Sequence, residues 1–315
     1  FFKQKTAYEI PLRLVGSEMC IRDRWKKPLH TNIYGFDGWT SPPHTQGYLT
    51  LSTLKAIEML DTENDDIHKI IETYRILAAD RDNITYDYGK KIKDFKGVDL
   101  DYIHEKIKLF NPNHSEKFDF PKPHGGGTAY MNTIDKDGLG VSLIQSNFHG
   151  IGSRIGVGSF GFFLHNRGCG FNLDSKHPNY LKPGRKPLHT LSPTIWSKNG
   201  NLEFIAGTRG GRYQPQLLIQ TILPYIQKSD SFEEIIKEPR WVIENFSSET
   251  ISKLRFEKIN NENLEILLKK GHEVEVENKF NKAYGPISII YKKDDGNFEG
   301  VCDVRVGTEK VFNSF

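Results

Sequence analysis

The sequence predicts an α+β fold, and three observations carry the prediction. Helical periodicity dominates the first third, glycine-punctuated strands follow, and further helices enter late among strands. That order suits helices layered on stacked antiparallel sheet rather than a parallel sheet of alternating strands and helices. The chain has 315 residues, 37% of them hydrophobic and 12% aromatic, enough apolar material for a sizeable core. No run of about eighteen apolar residues occurs, which argues against a membrane-spanning helix.

Residues Trp25 to Gly47 are rich in Pro, Gly, Thr and His and read as loop, densest at Pro42-Pro43-His44-Thr45-Gln46-Gly47. Leu51, Leu54, Ile57 and Leu60 then recur at helical spacing. Ile67, Ile70, Ile71, Tyr74, Leu77 and Ala78 share one face of a second helix. A third is expected from Asp99 to Phe110, stopped by Asn111-Pro112-Asn113. The character changes at Pro121 to Gly127, a proline and glycine turn. Thr128–Ile134 and Gly140–Gln145 read as strands joined by Asp135-Lys136-Asp137-Gly138, a hairpin signal.

Further on, Glu203–Gly207 reads as a strand and Gln214–Ile226 as a helix that Pro224 should kink or end. Ser231 and Glu234 have capping-box spacing. Glu262–Lys270 is expected as a helix with Asn261 as N-cap and Gly271 closing it. Strands are expected at Glu273–Val276, Pro286–Tyr291 and Gly300–Val304.

The first 24 residues look unlike evolved sequence. Lys3 to Ile10 and Leu14 to Asp23 resemble two blocks translated from a sequencing-library adapter, with Pro11, Leu12 and Arg13 as an index-sized gap. Residues 1–24 are therefore set aside as non-native, and the natural start is expected to be missing. They carry five Lys or Arg and three Asp or Glu, so without them the net charge moves from +3 to +1. Near-neutral charge gives no electrostatic case for nucleic acid or membrane binding. Cys169 and Cys302 remain, far apart and without metal-ligand spacing, so neither a disulfide framework nor a zinc site is expected.

On residue type alone, Thr128 is a threonine starting a strand after a glycine turn, and most of these are structural. Its company changes the reading. Gly126-Gly127-Thr128, Asp137-Gly138, Val141 to Asn147 and Gly150-Ile151-Gly152-Ser153 follow one another as in γ-glutamyltransferases. So do Asn166 to Phe171, Pro183 to Thr194, and Gly210-Gly211, while Cys302-Asp303-Val304-Arg305 resembles the family's C-terminal Asp-Pro-Arg. The similarity runs from about Lys27 to the C-terminus and is most specific from Thr128 to Gly211. Gln145-Ser146-Asn147-Phe148 with Asn166-Arg167-Gly168 looks most like the γ-glutamyltransferase-like branch.

The resemblance implies a four-layer αββα sandwich, the N-terminal-nucleophile hydrolase fold, with its large-subunit part truncated. It implies self-cleavage between Gly127 and Thr128, so that 25–127 is the tail of a large subunit and 128–315 a small catalytic subunit that stays bound to it. Thr128 would be the nucleophile. Its freed α-amino group, of pKa about 7.7–8.0, would be the base that a weak hydroxyl nucleophile needs. Gly210 and Gly211 would donate backbone N–H groups to an oxyanion, although by position alone they are a turn between strand and helix. Ser146 would hydrogen-bond the Thr128 amine or hydroxyl, or else is a plain polar strand-end residue. Asn166 and Arg167 fall near the substrate's amino-acid end, where Arg167 could pair with a carboxylate or simply be a surface charge.

Departures from the family pattern are equally plain. Ala129 stands where well-known members have a second Thr. Cys169-Gly170 replaces the acidic pair that holds a substrate α-amino group, and His189-Thr190 replaces the Ser-Ser pair that grips the α-carboxylate. His189 is expected as pocket wall or packing more than as a catalyst, and an arginine of the large subunit is expected in the missing part. Gly156-Val157-Gly158-Ser159-Phe160-Gly161 satisfies a dinucleotide-binding pattern, but no helical opening follows it and it is rejected.

The expected activity is hydrolysis or transfer of a γ-glutamyl, glutathione-type acyl group from a small-molecule amide, with no metal or organic cofactor. A related acylase for glutaryl or another side-chain amide stays open, as does an inactive remnant. The compartment is left open between cytoplasm and periplasm.

Overall fold

The computed structural model describes residues 25–60, 67–116, 127–227, 230–243, 253–277 and 280–307. The adapter-like segment and the Pro121–Gly126 part of the turn before Gly127 lie outside the described residues.

The chain opens with strands β1 (Leu29–Ile33) and β2 (Phe36–Thr40), then helices α1 (Tyr48–Met59), α2 (Ile67–Ala79), the single turn α3 (Arg81–Ile84) and α4 (Leu100–Ile107). A hairpin follows, β3 (Gly127–Ile134) and β4 (Gly140–Phe148), and then β5 (Thr194–Lys198) and β6 (Asn201–Thr208). Next come α5 (Gln214–Ile226), the short α6 (Phe232–Ile235), β7 (Trp241–Ile243), β8 (Lys253–Phe256), α7 (Asn261–Lys269) and β9 (Glu273–Val276). Strands β10 (Ile287–Lys292) and β11 (Phe298–Cys302) end the described fold.

Six strands form one antiparallel sheet in the order β1-β2-β5-β6-β10-β11. It therefore takes β1 and β2 from the segment before Thr128 and the other four from the segment after it. Helices α1 and α5 cover one face, packing Leu51, Leu54, Leu218 and Ile222 against Trp196, Phe204 and Ala206. Trp196 stacks on Phe204 with ring centroids 5.4 Å apart. The β3–β4 ribbon covers the opposite face, lying over β6 and β10. Burial on both faces explains the unbroken buried run from Phe204 to Thr208. The outer face of the ribbon exposes Met131, Val141 and Leu143. Helix layer, sheet and second-sheet ribbon are thus three of the four expected layers.

Several local expectations are corrected. Trp25–Gly47 is not all loop, because β1 and β2 form a hairpin through Tyr34 and Gly35, both at positive φ (49° and 78°). Strand β5 lies where no strand was expected, although Asn199-Gly200, at φ 51° and 79°, is a strong two-residue hairpin signal into β6. Strands β7 and β8 also lie where none was expected, and β8 pairs with β9 in parallel, so the sheets are not wholly antiparallel. The N-cap of α7 is Asn260, not Asn261: its side chain accepts from the Asn263 N–H at 2.7 Å. Helix α5 runs past Pro224 to Ile226, and the capping box of Ser231 and Glu234 forms.

The Asp303 to Arg305 segment anchors the C-terminal strand through a buried ion network. Arg305 bonds both oxygens of Glu257, Asp303 Oδ1 at 3.2 Å, and the carbonyls of Ile236 at 3.0 Å and Glu238 at 2.7 Å. Asp303 Oδ2 in turn meets Arg240 Nη1 at 2.6 Å and accepts from the Ile287 N–H at 2.9 Å. Removing one member strands buried charge. Arg305→Met is therefore expected to destabilise the fold by about 3–5 kcal/mol, read as a lower midpoint in urea unfolding.

Candidate active site around the Gly127–Thr128 junction

Residues Gly127 and Thr128 begin β3 at an irregularity. Gly127 pairs with Phe148 but Thr128 pairs with Ser146, so Asn147 is an extra residue on β4, a β-bulge. Phe148 takes φ 80°, in the left-handed region that a bulky side chain seldom occupies. The Gly150 carbonyl crosses so near Gly127 that a Cβ there would lie 2.4 Å from its oxygen, so only glycine fits without movement. Ser146 Oγ donates to the Gly127 carbonyl at 2.7 Å and accepts from the Phe148 N–H at 2.9 Å. In this uncut chain Ser146 therefore serves the carbonyl of the 127–128 peptide, where a bond to the Thr128 amine or hydroxyl was expected.

Register across the two sheets fixes where Thr128 points. It shares the inner face of the ribbon with Tyr130 and Asn132. Asn132 Nδ2 donates to the carbonyls of Ile205 (3.4 Å) and Ser288 (3.2 Å), and the Tyr130 ring lies against the Gly207 backbone. Stepping back along β3 thus means stepping forward along β6. Two residues before Tyr130, about 6.6 Å at strand rise, Thr128 is carried toward the end of β6, where Gly210-Gly211 follows. Gly210 and Gly211 both take positive φ, 119° and 57°, turning the backbone out of β6 into α5. Thr128 and the glycine pair are therefore brought to one end of the sandwich.

The Asn166–Arg167 loop closes on the same end. Asn166 Oδ1 accepts from the His149 N–H at 3.0 Å, and the Asn166 N–H donates to the Asn147 carbonyl at 3.1 Å, tying the loop to the bulge. Arg167 is not a surface charge, being only 4% exposed. Its guanidinium sits 4.8 Å over the Phe148 ring, and among the described residues neither terminal nitrogen has a hydrogen-bond partner. Burial lowers its pKa to about 10, which leaves it charged near neutrality. A buried cation with open donors is a ready receptor for a carboxylate. Gly170 carries no side chain, and the Leu188 carbonyl would be 2.6 Å from a Cβ placed there, so the missing acid could not be restored without backbone movement.

His189 and Thr190 run beside the earlier loop: the His189 N–H donates to the His44 carbonyl at 2.8 Å and the Gln46 N–H to the His189 carbonyl at 3.0 Å. His189 Nδ1 lies 2.7 Å from the Pro187 carbonyl, which can only accept, so Nδ1 carries the proton. Burial is the leading cause that lowers His189 to about 3 and His44 to about 4, so both are neutral at physiological pH. Thr190 is buried, its carbonyl accepting from Gln46 Nε2 at 3.0 Å. The role of Gln46 was not legible in sequence, since a glutamine in a Pro/Gly-rich stretch carries no signal of its own.

Two other features lie apart from this constellation. An apolar cavity of about 400 Å³ lined by Pro28, Trp39, Thr40, Ser142, Pro193 and Ile195 contains none of the candidate residues. Among the described residues His68, Glu72 and His272 have ligand atoms within 4.8 Å of one another. Those atoms are engaged in a buried network: His68 contacts His272 at 2.8 Å and the Asn111 carbonyl at 2.8 Å, and Arg75 meets Glu72 at 2.6 Å.

A helix-covered antiparallel sheet stacked on a second sheet, with a threonine at the head of an inner strand, is the architecture of the N-terminal-nucleophile hydrolases. Residues 21–312 match the gamma-glutamyltranspeptidase family, and the chain belongs to it. It is 30% identical over 303 residues to a glutathione hydrolase-like YwrD proenzyme of Bacillus subtilis, covering 92% of this chain and 58% of that protein. It is also 30% identical to the oxamate amidohydrolase proenzyme of Klebsiella pneumoniae, over 85% of this chain and 52% of that one. The cephalosporin acylase structure from Bacillus halodurans superposes with a TM-score of 0.78 at 26% identity, covering 90% of this chain and 52% of that one. The chain spans about half the length of the curated relatives it matches.

The two depressed histidines make the fold acid-sensitive. Below about pH 6.5 the unfolded chain takes up protons that folded His189 and His44 refuse until about pH 3 and 4. Stability is thus expected to fall as pH drops from 6.5 toward 4. Melting temperatures measured across that window should fall less steeply in His189→Gln than in the parent.

Proposed function

We propose that the chain carries the catalytic centre of a self-cleaving γ-glutamyltransferase-like enzyme. The observation that carries this reading is the Ser146 hydroxyl donating to the Gly127 carbonyl at a bulged, glycine-dependent junction. Thr128 Oγ attacks the Gly127 carbonyl carbon, and negative charge developing on the oxygen is met by Ser146. The Gly127–Thr128 C–N bond then breaks, the nitrogen takes up the proton that Oγ gives up and leaves as the Thr128 amine, and an ester to Oγ remains. Water hydrolyses that ester, leaving a Gly127 carboxylate and a free Thr128 hydroxyl. The segments 25–127 and 128–315 stay together as large-subunit and small-subunit parts, because one six-stranded sheet holds strands of both.

In turnover the Thr128 amine takes the hydroxyl proton, and Oγ attacks the acyl carbon of a small-molecule amide such as a γ-glutamyl, glutathione-type donor. Gly210 and Gly211 N–H groups receive the oxyanion, the amine product leaves, and water or another amine takes the acyl group from Thr128. Arg167 binds a carboxylate of the acyl donor, with Asn166, His189 and Thr190 shaping that end of the pocket. The relatives' names, glutathione hydrolase-like, oxamate amidohydrolase and cephalosporin acylase, support amide hydrolysis as the shared chemistry.

A second reading has its own observation. With Gly170 pressed against Leu188 and Arg167 buried nearby, the described residues offer a carboxylate anchor, while position 170, where an acid would hold an α-ammonium, is glycine. Glutaryl-type donors, which have the carboxylate and no amino group, suit that electrostatics. Turnover of γ-glutamyl-p-nitroanilide against glutaryl-p-nitroanilide by the full-length protein separates the two. Thr128→Ala should abolish either activity by about 10³-fold or more, and retention of turnover in that variant would overturn both readings. Arg167→Gln should raise KM by about 10-fold or more for the preferred donor.

A further inference from the structure

The Gln46 side chain is fully buried and makes three hydrogen bonds of fixed direction. Arg81 Nη1 donates to its Oε1 at 3.0 Å, and arginine cannot accept, so the amide orientation is set. Its Nε2 must then donate, and it does so to the Gly211 carbonyl at 2.8 Å and the Thr190 carbonyl at 3.0 Å. Its backbone N–H adds a bond to the His189 carbonyl. Arg81 is itself buried and held by Asp82 at 2.8 Å. One amide from the segment before Thr128 therefore ties together both loops of the later segment that carry His189-Thr190 and Gly210-Gly211.

We propose that Gln46 is a positioning residue for the oxyanion turn, acting through the Gly211 carbonyl. This rests on the reading of Gly210 and Gly211 as the oxyanion donors. Both glycines sit at positive φ with no side chain to limit rotation, so the peptide planes of the turn need an external restraint. Gln46 supplies one: a carbonyl held at 2.8 Å fixes the Gly211–Arg212 peptide plane and thereby limits ψ at Gly211. Through the second bond the turn is also set against the loop that walls the acyl-donor end. The assignment gives the N-terminal segment a part in positioning the oxyanion turn of the C-terminal one, besides its two strands in the sheet. Gln46 touches no reacting atom.

Two variants of the full-length protein test this. Gln46→Met keeps the side chain's bulk and removes all three side-chain bonds. Gln46→Glu keeps an acceptor for Arg81 and turns an oxygen toward the two carbonyls. Both are expected to lower kcat by about 10- to 100-fold with KM little changed, since a misplacement of about 1 Å in a catalytic group has an effect of that size. A second substitution, Gly211→Ala, should add little to Gln46→Met, because both disturb the same donors, whereas independent effects would multiply. Hydrogen–deuterium exchange across residues 208–213 gives a readout that needs no substrate, and faster exchange in Gln46→Met is expected. Parent-like kcat, or unchanged exchange in a folded Gln46→Met protein, would overturn the positioning role. A parent protein that turns over no acyl anilide, yet whose turn loosens in Gln46→Met, would sink the functional reading and leave the restraint standing.

Discussion

The register of the β3–β4 ribbon on the central sheet is the constraint on which the site depends. Asn132 bonds the carbonyls of Ile205 and Ser288, and Tyr130 lies on Gly207, so the ribbon cannot slide along β6 without losing buried partners. A slip of one residue would also turn Thr128 to the outer face and bring Ala129 and Met131 inward. Held as it is, the ribbon carries the head of β3 to the end of the sheet where β6 gives way to two glycines. The placement of Thr128 is in this sense a consequence of packing between two sheets.

Strain and polarity then concentrate at one peptide bond. The bulge at Asn147, the left-handed Phe148 and the close Gly150 carbonyl all surround the 127–128 linkage, while Ser146 presents a hydroxyl to its oxygen. The region of His189 differs in character: His189 and His44 are neutral, and Arg167 is a buried charge near them. The Gly127–Thr128 junction and the Arg167 guanidinium are adjacent, through Phe148, but are held by different segments.

Motif residues were readable in sequence because their types are unusual together: glycine before threonine, a glycine pair after a strand, a hairpin turn of Asp and Gly. The helices were readable from their periodicity, and α1, α2 and α5 fall close to their expected bounds. Strands β1 and β2 were not, because Gly38 fills an inward position of β2 where the Trp196 ring leaves no room for a side chain, which breaks the apolar alternation. The turn between them uses Tyr34 where Asn or Asp would have marked it. Arg167 and Gln46 illustrate a further limit: the burial of Arg167 and the Gln46 bonds to Thr190 and Gly211, 144 and 165 residues on, arise from tertiary contacts that no local pattern encodes.

In the proposed mechanism the 127–128 peptide is broken by its own threonine. Intact-mass measurement of the freshly folded full-length protein, followed over time for the parent and for Ser146→Ala, tests it most directly. Two fragments are expected, the later one beginning at Thr128, and they should appear markedly more slowly in Ser146→Ala. A parent chain that stays whole, or a cut that forms at the same rate without the Ser146 hydroxyl, would contradict it.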